Sequence, residues 1–416
     1  MNISKFIPSK YDANKKLILF GAGNLGILAI EALKQFNIKP NFFYDNSLKK
    51  QNKTFHNIEI INEKQLEDIA EDSIVILCNN YIDATLDFLA KYKFNKAFDV
   101  SDILMNHNFN VKELLKIQEE NLQLGPLKPL LDHKRVIGLH ANTYSNSKND
   151  YDEKFLIKYL DIVVTERCSM KCIDCSNLMQ YYTKPKNSNY EELKFSLERL
   201  MKIVQGVYEF RVIGGEPFIN RELDKILSLM VSYEHLQNIV IYTNAQHIPT
   251  GNTLEVLKNP KIKLDITNYR KVNRSAKHDR LIKVLQENNI NYVTHVANLW
   301  TDSGRVKFRN LDEANLKDMF MNCCVNDVLS LLNGKIYRCP FSANAHNLKA
   351  IPDDERDIVN ISDPKINDDI IKEQLLSLYT RKDRKDYISA CNYCGGRDHN
   401  TPVIKAATQT KLPISF

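Results

Sequence analysis

Three cysteines in one short stretch, Thr165-Glu166-Arg167-Cys168-Ser169-Met170-Lys171-Cys172-Ile173-Asp174-Cys175, carry the strongest chemical signal in the chain. Separated by three and then two residues, their thiolates can close around one metal centre, yet they are one short of the four that fill a structural zinc or iron–sulfur site. A centre held by three protein ligands keeps a position open, which is how catalytic metal sites are built. The alternative is a partial zinc knuckle whose fourth ligand lies elsewhere. Five later cysteines are Cys323, Cys324, Cys339, Cys391 and Cys394. Of these, Cys324, Cys339, Cys391 and Cys394 can complete a second site, and Cys323 can replace Cys324 at a nearly equal spacing. Four thiolates suit an iron–sulfur cluster or a structural zinc. Cys78 stands apart and reads as a small core residue.

Two glycine-rich pieces add to this. Gly214-Gly215-Glu216-Pro217 follows the strand-like run Glu209-Phe210-Arg211-Val212-Ile213. Its glycines allow the backbone to approach a ligand closely, and Glu216 offers a carboxylate to an ammonium group. Near the start, Lys16 to Phe20 runs into Gly21-Ala22-Gly23-Asn24-Leu25-Gly26, then a helical pattern, then Asn41-Phe42-Phe43-Tyr44-Asp45. Strand, glycine turn, helix, strand and acid in this order form a dinucleotide-binding fingerprint. Gly21, Gly23 and Gly26 would seat a pyrophosphate on the helix N-terminus, and Asp45 would accept from a ribose hydroxyl.

The CxxxCxxC spacing directly after Asp161-Ile162-Val163-Val164-Thr165, followed by Gly214-Gly215-Glu216-Pro217, resembles the signature of the radical S-adenosylmethionine enzymes. The resemblance implies that Cys168, Cys172 and Cys175 hold a 4Fe-4S cluster whose open iron chelates S-adenosyl-L-methionine. It implies too that Gly214, Gly215, Glu216 and Pro217, with Asn244 and Thr267 from later strand ends, contact that cofactor. In this chemistry the cofactor is cleaved to a 5′-deoxyadenosyl radical, which abstracts hydrogen from an unreactive carbon. The later cysteines, with Gly334 between Cys324 and Cys339, resemble the twitch domain, a shortened SPASM domain, and imply one auxiliary 4Fe-4S cluster. The first third resembles nucleotide-binding-like domains fused to polysaccharide-biosynthesis enzymes, which hold NAD(P), a nucleotide sugar, or nothing.

Elements must position these residues. From 155 to 310, strand-like runs (Ile162 to Thr165, Phe210 to Ile213, Ile239 to Thr243, Ile262 to Thr267, Tyr292 to Val296) alternate with helical ones, which argues for a parallel sheet with crossover helices. Sites in such sheets collect at the strand C-terminal ends. Taken with the resemblances above, which imply the barrel and the auxiliary-cluster domain, the expected fold is α/β in three parts. Residues 1–125 form a Rossmann-like doubly wound domain, 126–154 a linker, 155–310 a partial (β/α)6 radical S-adenosylmethionine barrel, and 311–416 a small auxiliary-cluster domain. A hairpin around Asn333-Gly334 opens the last part.

Composition narrows the partners. The net charge is +6 from 57 basic and 51 acidic residues, spread along the chain, so no basic stripe marks a nucleic-acid footprint. No apolar run is long enough to span a membrane, and the first residues lack an apolar signal segment. Nine cysteines in ligand spacing then argue for metal in a reducing compartment, so the expected location is cytoplasmic. The leading reading is a radical enzyme acting on a small hydroxylated substrate, a sugar or nucleotide sugar of surface-polysaccharide biosynthesis. Its electron donor would be a flavodoxin or ferredoxin. The alternatives are a peptide- or protein-modifying maturase and a non-catalytic iron–sulfur scaffold.

Overall fold

The structure, a computed structural model, describes residues 3–4, 6–79, 82–94, 96–104, 155–269, 277–326, 328–380, 387–397, 401–411 and 413–416. It divides into two compact units, Met1–Tyr151 and Asp152–Phe416. The linker expected at 126–154 lies outside the described residues, as does the polar helical pattern that follows Leu104.

The first unit is built on a seven-stranded sheet. Its strands are β1 (Ile3–Ser4), β2 (Lys16–Phe20), β3 (Phe42–Tyr44), β4 (Lys53–Phe55), β5 (Ile58–Ile61), β6 (Ser73–Leu77) and β7 (Lys96–Asp99), in the order β1-β7-β6-β2-β3-β5-β4. All neighbours are parallel except β4 and β5. Alternate residues of β2 serve two cores, Leu17 and Leu19 in one, Ile18 and Phe20 in the other. A strand apolar on both faces must be covered on both. The order reverses at β2, with β3 on one side and β6 on the other, so the expected doubly wound sheet is present. Its switch point falls where the glycine turn Gly21–Gly26 leaves β2.

The second unit carries an eight-stranded sheet, β12-β11-β10-β9-β8-β14-β15-β16. The strands are β8 (Leu156–Thr165), β9 (Gly206–Gly214), β10 (Leu236–Thr243), β11 (Ile262–Asn268), β12 (Tyr292–Val296), β14 (Val328–Leu332), β15 (Lys335–Tyr337) and β16 (Ile358–Asn360), with β13 (Leu299–Thr301) in a separate ladder. From β8 to β12 each strand lies parallel beside its predecessor. Leu160, Ile162, Phe210, Val212, Ile239, Ile241 and Leu264 all face one core, shared with helices such as Tyr190–Ile203 and Leu223–Val231. Sequential parallel strands whose crossover helices cover a single face make a barrel segment rather than a doubly wound sheet. Five parallel strands lie between 155 and 310. The sixth, β14, comes from beyond 310 and runs parallel to β8 on its far edge, so the sheet continues through the boundary expected there. The hairpin β14–β15 turns at Asn333 (φ 46°) and Gly334 (φ 68°), the two positive φ values a two-residue type I′ turn requires.

Candidate metal and cofactor site

Beyond β8 the chain is steered into the cysteine loop by Thr165. Its hydroxyl accepts from the Arg167 amide (3.0 Å) and lies 2.8 Å from Asn187 Oδ1. The end of β9 docks on this loop through its backbone: Gly215 N donates to Thr165 O and Glu216 N to Arg167 O, both at 2.8 Å. A Cβ on Gly214, whose φ is 146°, would sit 2.1 Å from the Thr165 carbonyl oxygen, and one on Gly215 would sit 2.1 Å from that of Arg167. The close approach the two glycines permit is therefore to the cysteine loop itself. Asn177 adds a bond from its side chain to Gly214 O at 3.3 Å.

Cys168, Cys172 and Cys175 gather in one apolar cluster with Met170, Ala407, Tyr269 and Trp300. Burial pushes all three thiols up, Cys172 to about 12, with the charge of Cys175 adding to the effect there. Three converging thiols that cannot cheaply ionise alone fit a cationic metal core, which deprotonates its thiol ligands outright. Among the described residues, no three His, Cys, Asp or Glu side chains are grouped as the ligands of a single ion would be.

Glu216 is fully buried. Its Oε1 accepts from Thr243 Oγ1 (2.8 Å) and the Phe218 amide (3.4 Å), and its Oε2 accepts from the Asn244 amide (2.9 Å). Burial lifts its carboxyl to about 7, although these hydrogen bonds pull the other way. The carboxylate thus fastens the end of β10 to the end of β9. Asn244, held by it, points its Nδ2 at Cys168 Sγ (3.6 Å) and Ser169 Oγ (3.4 Å). Pro217 starts the short 3-10 turn Pro217–Ile219 that Glu216 caps. The Thr267 hydroxyl meets His295 Nε2 at 3.3 Å and the side chain of Tyr269, which packs beside the thiols, and His295 Nδ1 faces Asp265 at 3.3 Å.

The sheet face opposite the helical core carries charged residues beside an apolar cluster that includes Val163 and Ile213. Asp161 on β8 and Arg211 on β9 are cross-strand partners 3.2 Å apart, and Arg211 lies over the rings of Tyr159 and Tyr242 at 5.4 and 5.2 Å. Glu209 is fully buried on the same face, and Lys263 is nearly so.

The later cysteines converge as well. Cys323, Cys339, Cys391 and Cys394 line one cavity with Phe320, Phe341 and Ile388, and all four are free thiols. Cys323 lines the cavity, while Cys324, which the spacing fits as well, is exposed. Burial pushes Cys339 to about 12 and raises Cys391 and Cys394, while Cys323 is raised first by its hydrogen bond to Cys324 and then by burial. Ser176, next to Cys175, also borders the cavity, and the Arg397 cation eases the ionisation of both Cys175 and Cys394.

In the first unit, Gly21 has φ 123°, and a Cβ there would lie 2.6 Å from Cys78 O; one on Gly26 would meet Gly21 O at 2.5 Å and the Phe43 ring at 2.7 Å. Gly23 has nothing within 4 Å of that position. Asp45 is committed within the turn: Oδ2 accepts from the Ala22 amide and from Lys50 Nζ, both at 2.9 Å, and Oδ1 accepts from Ser47 N. Gly23→Val is therefore expected to leave the thermal midpoint of the chain within about a degree, whereas Gly26→Ala lowers it by several, since overpacking costs about 1–3 kcal/mol. Equal midpoints for the two variants would contradict this packing.

Three residues near the cysteines escaped the sequence reading: Tyr269, Trp300 and Gln409. Tyr269 and Trp300 meet edge to face at 5.8 Å beside the thiols. Only the rise in polarity after β11 hinted at the first, and no local pattern marked Gln409.

No family model matches the chain. Among curated proteins it is similar to GTP 3',8-cyclase of Sulfurovum sp. (strain NBC37-1), at 26% identity over 200 residues, covering 47% of this chain and 58% of that protein. GTP 3',8-cyclase of Campylobacter jejuni (strain RM1221) is 26% identical over 233 residues, covering 52% and 66%. The chain thus spans less than two thirds of the length of either relative. Among solved structures it aligns with BtrN in complex with AdoMet and 2-DOIA at 17% identity, over 58% of this chain and 94% of that one, with a TM-score of 0.37. The CxxxCxxC loop docked on the Gly-Gly-Glu-Pro strand end and the similarity to these relatives in sequence together support the radical S-adenosylmethionine superfamily.

Proposed function

We propose that the second unit is a radical S-adenosylmethionine enzyme acting on a small polar substrate, with a sugar or nucleotide sugar as the leading class. The observation that carries the reading is the gathering of three thiols, Cys172 buried and Cys168 and Cys175 partly so, with Asn244 beside them, at the C-terminal ends of parallel strands whose face away from the helical core bears buried, paired charges. Such a face suits a ligand rich in hydroxyl and charged groups better than an apolar one. Cys168, Cys172 and Cys175 would hold a 4Fe-4S cluster, which with bound S-adenosylmethionine supplies reductive cleavage of the sulfonium and hydrogen abstraction. The chain's own part is to fix the loop through Gly214 and Gly215, to hold Asn244 in place through Glu216, and to keep water from the thiols with Met170, Tyr269 and Trp300. Cys323, Cys339, Cys391 and Cys394 would hold an auxiliary cluster, the four thiolates that a 4Fe-4S core takes. A flavodoxin or ferredoxin would deliver the electron.

The test is anaerobic turnover of the full chain with dithionite and S-adenosylmethionine, following 5′-deoxyadenosine. Release of 5′-deoxyadenosine that rises with a nucleotide sugar supports the reading, whereas stimulation by GTP instead would move the substrate to the class named for the relatives. No cleavage under any condition would leave the scaffold reading in its place.

For the first unit we propose a pyrophosphate-containing ligand, NAD(P) or a nucleotide sugar, seated over the open position at Gly23. Ligand at one hundred times its dissociation constant adds about 2.7 kcal/mol to the stability of the fold that binds it. That thermal shift is expected in the full chain and should vanish in Gly23→Val; a shift that persists in the variant would place the ligand elsewhere.

A further inference from the structure

We propose that Gln409 tunes the metal centre of Cys168, Cys172 and Cys175 by donating an N–H···S hydrogen bond to Cys172, an inference that rests on the cluster reading above. The chain far from the loop in sequence returns to it in space. β17 (Val403–Lys405) pairs antiparallel with β13, and Ala406 N donates to Asn298 O at 3.0 Å. Ala406 and Ala407 are fully buried, and Ala407, at φ 54°, turns the backbone onto the cysteine loop. There Ile173 N donates to Thr408 O (2.8 Å) and Thr410 N donates to Lys171 O (2.7 Å), so Gln409 lies opposite Cys172 in a one-residue bridge.

The orientation of the amide is fixed by its partners. Lys171 N donates to Oε1 at 2.8 Å, so that atom is the oxygen. Nε2 then spends its two protons on Ala407 O at 2.7 Å and Cys172 Sγ at 3.2 Å. Gln409 is a surface residue, yet every polar atom of its side chain faces the loop backbone or the sulfur.

A donor aimed at a cluster sulfur favours the state with more negative charge on that sulfur, and hydrogen bonds of this kind are among the determinants of cluster potential. Gln409 is a positioning residue in this account: it makes the cluster easier to reduce without touching substrate. Gln409→Leu removes the donor. Gln409→Glu keeps an acceptor for Lys171 N but turns a carboxylate oxygen toward the sulfur, which opposes reduction further.

The experiment is an anaerobic redox titration of the full reconstituted chain, read by electron paramagnetic resonance. The relevant signal is the one that changes when S-adenosylmethionine is added. Expected is unchanged iron content with reduction made up to about tenfold less favourable in Gln409→Leu, a fall of up to about 59 mV for one electron, and a larger fall in Gln409→Glu. A structural role predicts the opposite sign, because a loosened segment admits water, and water stabilises the more negative reduced cluster. An unchanged or raised potential, or loss of iron in both variants, overturns the tuning role. No S-adenosylmethionine-responsive signal in the unsubstituted chain would sink the cluster reading itself, and this inference with it.

Discussion

Anaerobic reconstitution of the full chain is expected to load about eight irons, because the proposed sites, three thiols in one cluster and four lining one cavity, would hold two 4Fe-4S clusters. The Cys168/Cys172/Cys175→Ala triple variant should keep about four and lose all cleavage of S-adenosylmethionine. The second site makes a sharper demand. Cys323 lines the cavity with Cys339, Cys391 and Cys394, while Cys324 is exposed. Cys323→Ser is therefore expected to lose about four irons, and Cys324→Ser to keep them. The reverse result would return the ligand role to Cys324. Zinc in place of iron at the second site, read by metal analysis of protein purified without reconstitution, would end the auxiliary-cluster reading.

Glu216→Ala should unfold the second unit at a clearly lower temperature and weaken S-adenosylmethionine binding along with it. The Gly-Gly-Glu-Pro resemblance implies a contact of this carboxylate with the cofactor. In the fold, its oxygens are engaged by Thr243, Phe218 and Asn244, and the side chain is closed to solvent. Truncation leaves the Thr243 hydroxyl and the Asn244 amide buried without their acceptor, each worth about 1–3 kcal/mol. It also frees Asn244 from its place beside Cys168. Glu216→Gln is the discriminating variant, because its amide puts a donor against either the Asn244 amide or the Phe218 amide. It should be destabilised by about 1–3 kcal/mol in urea unfolding. A Gln variant as stable as the unsubstituted chain that nevertheless binds S-adenosylmethionine poorly would restore the direct contact.

Local signals made much of the architecture readable. β2 carries an apolar run followed by glycines, and the Asn333-Gly334 turn has the chemistry its two positive φ values require. The ends of β8 through β12 were legible for the same reason, since their apolar residues stand in short blocks before polar strand ends. The first halves of the strands were less so. β8 begins at Leu156 although Lys158 and Asp161 interrupt its apolar pattern. Asp161 is tolerated inside because Arg211 stands opposite it on β9. A charge in a strand pattern reads as exposure until its partner is known, and the partner is fifty residues away in sequence, 211 − 161 = 50.

The sequence by itself determined the chemistry available: which thiols are present, their spacing, and the glycines that let a strand end lie against the cysteine loop. Those are properties of residue type and short-range order, and they need no knowledge of the remaining chain. The tertiary structure alone decided how the groups are shared out. It set Cys323 on the cavity and left Cys324 exposed, turned Glu216 inward to hold Asn244, spent Asp45 on the Ala22 amide and Lys50, and brought Gln409 to Cys172 across 237 positions. Each outcome depends on which donor and acceptor meet once distant segments pack. That is set by sheet register and by the requirement that buried polar groups find partners, which no local stretch of sequence records.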